Sequence, residues 1–212
     1  MPINLSASDA LGRLIEGNRR FVSNVRSIES MMSQARRAEL VKTQAPFAIV
    51  LGCSDSRSPA ETVFDQGLGD LFVIRVAGNI VASSQVGSVE FAAERYGVRL
   101  VVVMGHTLCG AIDATIDALS GETSTTTRGL MSIIDRVRPS VAALMETDLS
   151  DDREALARAS IRANVRTSVD HLRHGSPLLE ALIEQPQGLR VVGAEYDIAS
   201  GVVDFFEPHD RP

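Results

Sequence analysis

Phe47-Ala-Ile-Val-Leu51, followed at once by Gly52 and Cys53, is the stretch on which the reading of this chain turns. Five apolar residues in a row leave no polar face, so the run reads as a strand covered on both sides, as in a parallel sheet. Leu71-Phe-Val-Ile74 and Leu100-Val-Val-Val-Met104 share the pattern. Between those two runs, Ser84 to Tyr96 carries Val86, Val89, Phe91, Ala92 and Ala93 at spacings that suit a crossover helix. Strand, helix, strand in that order implies parallel α/β architecture with right-handed crossovers. The expected fold class is therefore α/β: a mostly parallel central β-sheet flanked by helices, with a helical N-terminal extension and a C-terminal strand pair.

Before the first strand, Ser8 is a plausible cap for a helix carrying Leu11, Leu14, Ile15, Phe21 and Val22, and a second helix is expected over about Met31 to Val41. After the third strand, the polar stretch Gly121 to Thr127 reads as a long loop between two helical patterns. Helices are expected over Gly129–Met145, Asp152–His174 and Pro177–Glu184, with a kink or restart at Pro139. Leu189-Arg-Val-Val192 and Val202-Val-Asp-Phe-Phe206, joined through Ala199-Ser-Gly201, suggest a hairpin-like ending. The division expected is a single domain over 1–212, with a helical arm at 1–45, an α/β core at 46–120, and helices with the last strands at 121–212.

Composition excludes several functions. The chain has 212 residues, 44% apolar and 23% charged, with a formal net charge of −6. A nucleic-acid binder would need a phosphate-facing excess of Lys and Arg. Aromatics are 4% and Trp is absent, which leaves no stacking platform for bases or sugars. Two cysteines do not make a disulfide-rich secreted scaffold. No apolar run approaches a membrane span, and Met1 to Phe21 lacks the apolar core of a signal peptide. The cytoplasm is the expected compartment, with both thiols reduced. Gly67-Leu-Gly69 reads as a turn rather than a phosphate loop, and His171, His174 and His209 as solvated side chains.

Chemistry gathers at the strand ends. Cys53 stands just past the first strand; His106 and Cys109 stand just past the third, within Gly105-His-Thr-Leu-Cys-Gly110. Open parallel sheets bind ligands beyond the carboxyl ends of their strands. His106 and Cys109 are three apart, so one turn aims both at a point that Cys53 can reach from its neighbouring strand. Two sulfurs and an imidazole suit zinc, and three protein ligands with an open fourth position are the pattern of catalytic zinc. A fourth protein ligand, if present, would be a His or a carboxylate, and Asp55 is nearest. Two blander readings stand beside this one: inert buried cysteines, or a Cys53–Cys109 disulfide. In Cys53-Ser-Asp-Ser-Arg57, Asp55 either binds the metal or is held off it by Arg57, whose guanidinium fork matches a carboxylate. An ordinary surface Asp–Arg pair is the alternative.

On these residues the segment Gln44 to Gly110 resembles a β-class carbonic anhydrase. The resemblance rests on Cys53-Ser-Asp-Ser-Arg57, Arg75-Val-Ala-Gly-Asn79 and His106-Thr-Leu-Cys109, and Gly193-Ala-Glu-Tyr196 before a strand also fits. It implies one zinc per subunit on Cys53, His106 and Cys109, with Asp55 and Arg57 as the catalytic dyad. It further implies that Gln44 lines the active site across a dimer interface. Phe72, Ala77 and Phe91 would build an apolar carbon dioxide pocket partly from the partner subunit, with Gly110 beside it. The assembly implied is a homodimer or homotetramer whose N-terminal helices embrace the neighbour, although a helix packed on its own sheet explains the same pattern. Part of the family has a bicarbonate-regulated closure using a Trp, an Arg and a Tyr; Arg75 and Tyr196 match two of these, but Val50 stands at the Trp position, which favours an open site.

The charges suggest a mechanism. Two thiolates cancel the +2 of zinc, so its water should be a weaker acid than one on a zinc with three His ligands. An unpaired Asp55 anion would disfavour hydroxide further, and Arg57 offsets that anion. The expected reaction is zinc-hydroxide attack on carbon dioxide, giving bicarbonate and a proton. Two competing readings remain: a related zinc hydrolase acting on an analogue such as carbon disulfide, and a non-catalytic zinc protein with Asp55 as permanent fourth ligand.

Overall fold

The structure, a computed structural model, describes residues 5–26, 34–122 and 127–206. Its sheet is built from β1 (Ala48–Gly52), β2 (Leu71–Arg75), β3 (Leu100–His106), β4 (Arg190–Tyr196) and β5 (Val203–Phe206), in the order β2-β1-β3-β4-β5. All pairings are parallel except β4–β5, the antiparallel pair that the sequence ending suggests. Every residue of β1 and β3 is buried, as strands covered on both faces must be. β2 departs from that expectation. It is an edge strand with β1 as its partner, and Phe72 and Val73 stay half-buried while Arg75 is exposed.

The connections place the site. From β1 the chain passes through the short α3 (Ala60–Val63) to β2, then crosses back through α4 (Ser83–Arg95) to β3 on the other side of β1. Strand order therefore reverses between β1 and β3, and their carboxyl ends flank the crevice where open α/β sheets hold ligands. The register pairs Gly52 with Met104, which brings the two ends to one level.

Helix α1 (Ala7–Val22) packs on its own sheet, with Ala10 and Leu14 buried among Val50, Phe64 and Val102. Its cap is Ser6 rather than Ser8: the Ser6 hydroxyl accepts from the Asp9 amide at 3.1 Å. A cap needs extended backbone outside the helix, and Ser8 already lies within the first turn. The approach is close, since a Cβ on Gly17 would stand 1.8 Å from the Phe64 carbonyl oxygen. Beside it, buried Asn18 donates to the carbonyls of Val63 (3.1 Å) and Gly201 (2.9 Å) and accepts from the Val203 amide (2.9 Å). Of the helix expected over Met31–Val41, the described part is α2 (Gln34–Glu39); residues 31–33 lie outside the described residues, and Val41 is in an exposed turn.

Three longer helices cover the crevice side: α5 (Gly110–Leu119), α6 (Arg128–Met145) and α7 (Arg153–Arg173). They share a cluster in which Ile112, Ile116, Val137, Val141 and Ile161 surround Cys53 and Cys109. The restart expected at Pro139 does not occur, because α6 runs through it as one helix. Proline there gives up one backbone bond, but buried Val137, Ser140 and Val141 anchor the same turn. Helix α8 (Pro177–Ile183) starts at Ser176, with proline in its first turn where a missing amide costs nothing. The final turn closes with the Asp197 amide on the Val202 carbonyl (2.9 Å) and the Gly201 amide on the Asp197 carbonyl (2.8 Å). Among the described residues no helix is long and apolar enough to cross a membrane.

Candidate metal centre

Cys53 follows β1 directly, His106 ends β3, and Cys109 is the residue on which α5 begins. All three are buried, and the two Sγ atoms and a ring nitrogen of His106 lie within 4.8 Å of one another. Among the described residues this is the group able to hold a metal ion, and the cysteines are free thiols. The His106 Nδ1 is 2.9 Å from the Thr107 carbonyl oxygen, an acceptor that keeps the proton on Nδ1. The Nε2 is buried without a hydrogen-bond partner. A buried imidazole nitrogen beside two sulfurs, with no hydrogen-bond partner, fits the role of a metal ligand.

The donors fit zinc. Tetrahedral zinc, with Zn–S of about 2.3 Å and Zn–N of about 2.0 Å, sets its ligand atoms roughly 3.5–3.8 Å apart. Inward shifts of about an ångström would therefore close this set. Electrostatics favours a cation as well. The bond from the Cys109 thiol pulls the Cys53 thiol down to about 4, and the same bond, with burial, pushes Cys109 far up. A cation held by this pair would require both sulfurs in their thiolate form. Burial disfavours a charge on His106, yet the Cys53 sulfur and the Thr107 carbonyl outweigh it and its pKa is raised.

Asp55 and Arg57 lie at the mouth. Arg57 donates from Nε to Oδ1 of Asp55 (2.9 Å) and from Nη2 to Oδ2 (2.7 Å), and its amide donates to Oδ1 (2.9 Å). These bonds, Arg57 first, hold the Asp55 carboxyl below the usual carboxylate range. Oδ2 is also 3.9 Å from the His106 Nε2. The Arg57 Nη2 reaches the Leu108 carbonyl at 3.1 Å, tying the two ligand loops together. Leu108 has φ +57, a left-handed backbone that a branched side chain seldom adopts. Arg75 donates to the carbonyls of Cys53 (3.0 Å) and Asp55 (2.5 Å), so its guanidinium braces the loop from beneath.

The deciding match comes from the family comparison: the carbonic anhydrase profile covers residues 48–203. The chain belongs to the carbonic anhydrase family. Relatives include a carbonic anhydrase of Mycolicibacterium smegmatis, 37% identical over 90% of this chain and 89% of its own. Carbonic anhydrase 2 of Mycobacterium tuberculosis is 38% identical over 89% of this chain and 87% of its own. In three dimensions the chain resembles the β-carbonic anhydrase CafA of Aspergillus fumigatus, with a TM-score of 0.69 and 27% identity over 96% of this chain and 92% of that one. It also shares its fold with two tetrameric β-carbonic anhydrases from Sordaria macrospora (TM-score 0.72, 22% identity, 93% of this chain and 97% of that one). The fold is that of the β-carbonic anhydrases.

The remaining residues expected at the site divide into two places. Ala77 is in the 3₁₀ turn Ala77–Asn79 beside Cys53, and Gly110 is the exposed first residue of α5. Gln44, Phe72 and Phe91 gather instead on the β2–α4 edge. There the Gln44 side chain donates to the Tyr96 hydroxyl at 2.9 Å, and the rings of Phe72, Phe91 and Tyr96 lie 5.7–6.2 Å apart. His171 and His174 are exposed on α7 and its end; His209 lies outside the described residues. Sequence reading passed over one group, the α7 side chains that support the Ala77–Asn79 turn. Its signal was present, because Ser160, Asn164 and Ser168 interrupt the apolar stripe of Leu156, Ile161, Val165, Val169 and Leu172 at helical spacing.

Proposed function

We propose that this chain is a zinc-dependent carbonic anhydrase that reversibly hydrates carbon dioxide, with Cys53, His106 and Cys109 holding one zinc per subunit and Asp55 and Arg57 orienting the nucleophile. The observation that carries this reading is the Asp55 carboxylate, turned toward Arg57 yet 3.9 Å from the ligand atom of His106. A bound zinc supplies a nucleophilic oxygen near neutral pH and a Lewis acid for the developing charge.

The protein's own groups do the rest. Asp55, kept anionic by Arg57, accepts a hydrogen bond from the attacking oxygen and so turns a lone pair toward the carbon. Arg57 prevents that carboxylate from becoming a fourth ligand, because both of its oxygens are engaged. Carbon dioxide and water become bicarbonate and a proton, and buffer takes the proton. The engaged Asp55–Arg57 pair, and Val50 buried in β1, support an open site at neutral pH.

Gln44, Phe72, Ala77, Phe91 and Gly110 are assigned to the substrate pocket, with Gln44, Phe72 and Phe91 serving across an interface between two copies. Exposed Phe91 in an aromatic cluster supports that assignment, as does the tetrameric state of the Sordaria macrospora proteins. We place the homodimer or homotetramer in the cytoplasm, where both ligand thiols stay reduced.

Stopped-flow carbon dioxide hydration on zinc-loaded protein is the test. Wild type should be active, and Asp55→Asn should keep its zinc and lose about a hundredfold or more of the rate. An inactive wild type with full zinc would overturn the reading, and an Asp55→Asn variant of full activity would remove Asp55 from its role.

A further inference from the structure

The thiolate of Cys53 has a partner outside the ligand set. The Gly78 amide donates to its sulfur at 3.3 Å, in a buried setting. Gly78 has φ +70 and Asn79 φ +42, two successive left-handed residues, a region that glycine adopts freely and asparagine tolerates better than most side chains. One backbone bond closes the turn, from the Asn79 amide to the Val76 carbonyl at 3.0 Å, and glycine, the most pliable residue, adds no rigidity of its own.

Helix α7 supplies the lock. The Asn164 Nδ2 donates to the Gly78 carbonyl at 2.7 Å, and the Ser168 hydroxyl donates to the Asn79 carbonyl at 3.0 Å. Asn164 and Ser168 are four residues apart, so they stand one above the other on one helix face and meet consecutive carbonyls. Both are 2% exposed. A buried amide on an apolar stripe costs free energy unless it is bonded, and Asn164 directs its donor at Gly78, whose amide, like that of Asp55, bonds the Cys53 sulfur. The opposite side of the turn is tight: a Cβ on Gly78 would lie 3.0 Å from the Ala111 methyl.

We propose that Asn164 is a positioning residue for the metal centre, holding the Gly78 carbonyl so that the Gly78 amide stays bonded to the Cys53 sulfur. This rests on the zinc reading above. A hydrogen bond to a ligand sulfur draws charge from it and weakens its donation, and partners of this kind tune metal affinity and acidity. Asn164 would thus act through one glycine on the electron richness of one ligand, without touching substrate.

The full-length protein loaded with cobalt(II) in place of zinc gives the test, because the sulfur-to-cobalt charge-transfer band reads the thiolate directly. Asn164→Ala and the similarly sized, donor-free Asn164→Leu, which keeps the volume should the alanine variant fail to fold, should both shift that band to longer wavelength. Both should also weaken zinc binding about 10- to 100-fold in competition with a chromophoric chelator, because Cys53 is no longer held in place by the turn and that loss of positioning outweighs the stronger donation. Thr167→Val is the control. It breaks another polar contact of the same helix, Thr167 Oγ1 to Ser140 Oγ at 2.9 Å, and should leave the band in place. An unmoved band in the folded Asn164 variants, or an equal shift in Thr167→Val, overturns the role of Asn164 alone. Absence of any thiolate band in cobalt-loaded wild type overturns the metal reading itself.

Discussion

Arg57 grips Asp55 by both carboxylate oxygens, at 2.9 Å and 2.7 Å, while its remaining reach goes to the Leu108 carbonyl on the other ligand loop. One side chain therefore sets the direction of the carboxylate and the spacing of the two loops that carry the ligands. Arg57→Ala should lower hydration activity about 10- to 100-fold, with Asp55 released toward the metal, which a structure of the zinc-loaded variant would reveal. The pH dependence follows in sign. The folded Asp55 carboxyl is held below its ordinary 3.8, so its contribution to stability is fully present above that value and is lost as pH falls below it. The denaturant midpoint of wild type should exceed that of Arg57→Ala at pH 6, and the gap should begin to narrow only below pH 3.8.

Metal removal should be reversible. Dialysis against a strong chelator should release one zinc per chain and abolish activity, and added zinc should restore both. Because the ion binds the folded chain, excess zinc at a hundred times its dissociation constant should stabilise the fold by about 2.7 kcal/mol. Melting curves at graded zinc concentrations would check this; a melting temperature indifferent to zinc would contradict the assignment of these three ligands.

The aromatic cluster on the β2–α4 edge offers a separate test. Phe91 is 51% exposed while its ring meets Tyr96 edge-on at 5.7 Å. As an anchor between two copies, its truncation to alanine should cost about 2 kcal/mol, or about thirtyfold in the dissociation constant of the assembly. Sedimentation at graded concentrations would measure it, and an unaltered association constant would remove Phe91 from the interface.

Asn18 is far from the metal and bears on the fold alone. Its side chain serves the carbonyls of Val63 and Gly201 and the amide of Val203. Asn18→Ala would leave these buried groups unpaired, at a cost of about 2–4 kcal/mol in urea unfolding. Activity per folded molecule should not change.

What could be read in advance followed from local pattern. The apolar runs of β1 and β3 announce their burial because covered strands tolerate no polar residue, and Cys53, His106 and Cys109 stand at fixed offsets from those runs. β2 carries the same kind of run but lies at the edge, since periodicity records apolar character and not the number of neighbours. Ser6 displaced Ser8 as the α1 cap because two serines two residues apart offer the same local signal, and the packing of Leu14 and Gly17 chooses between them. Asn164 belongs to the least legible class. Its partner is 86 residues away, at a carbonyl that any residue type could supply.

The two halves of the ligand set come from segments that the chain does not bring together locally. His106 and Cys109 are near neighbours in sequence, but Cys53 reaches them only once β1 and β3 lie side by side, although β2 and α4 separate the two strands along the chain. In the unfolded chain the ion would find half a site. Capture must therefore come late, after the slow non-local strand pairing that limits folding of such sheets. Zinc should then leave the refolding rate nearly untouched and act on the reverse reaction, lengthening the lifetime of the native state.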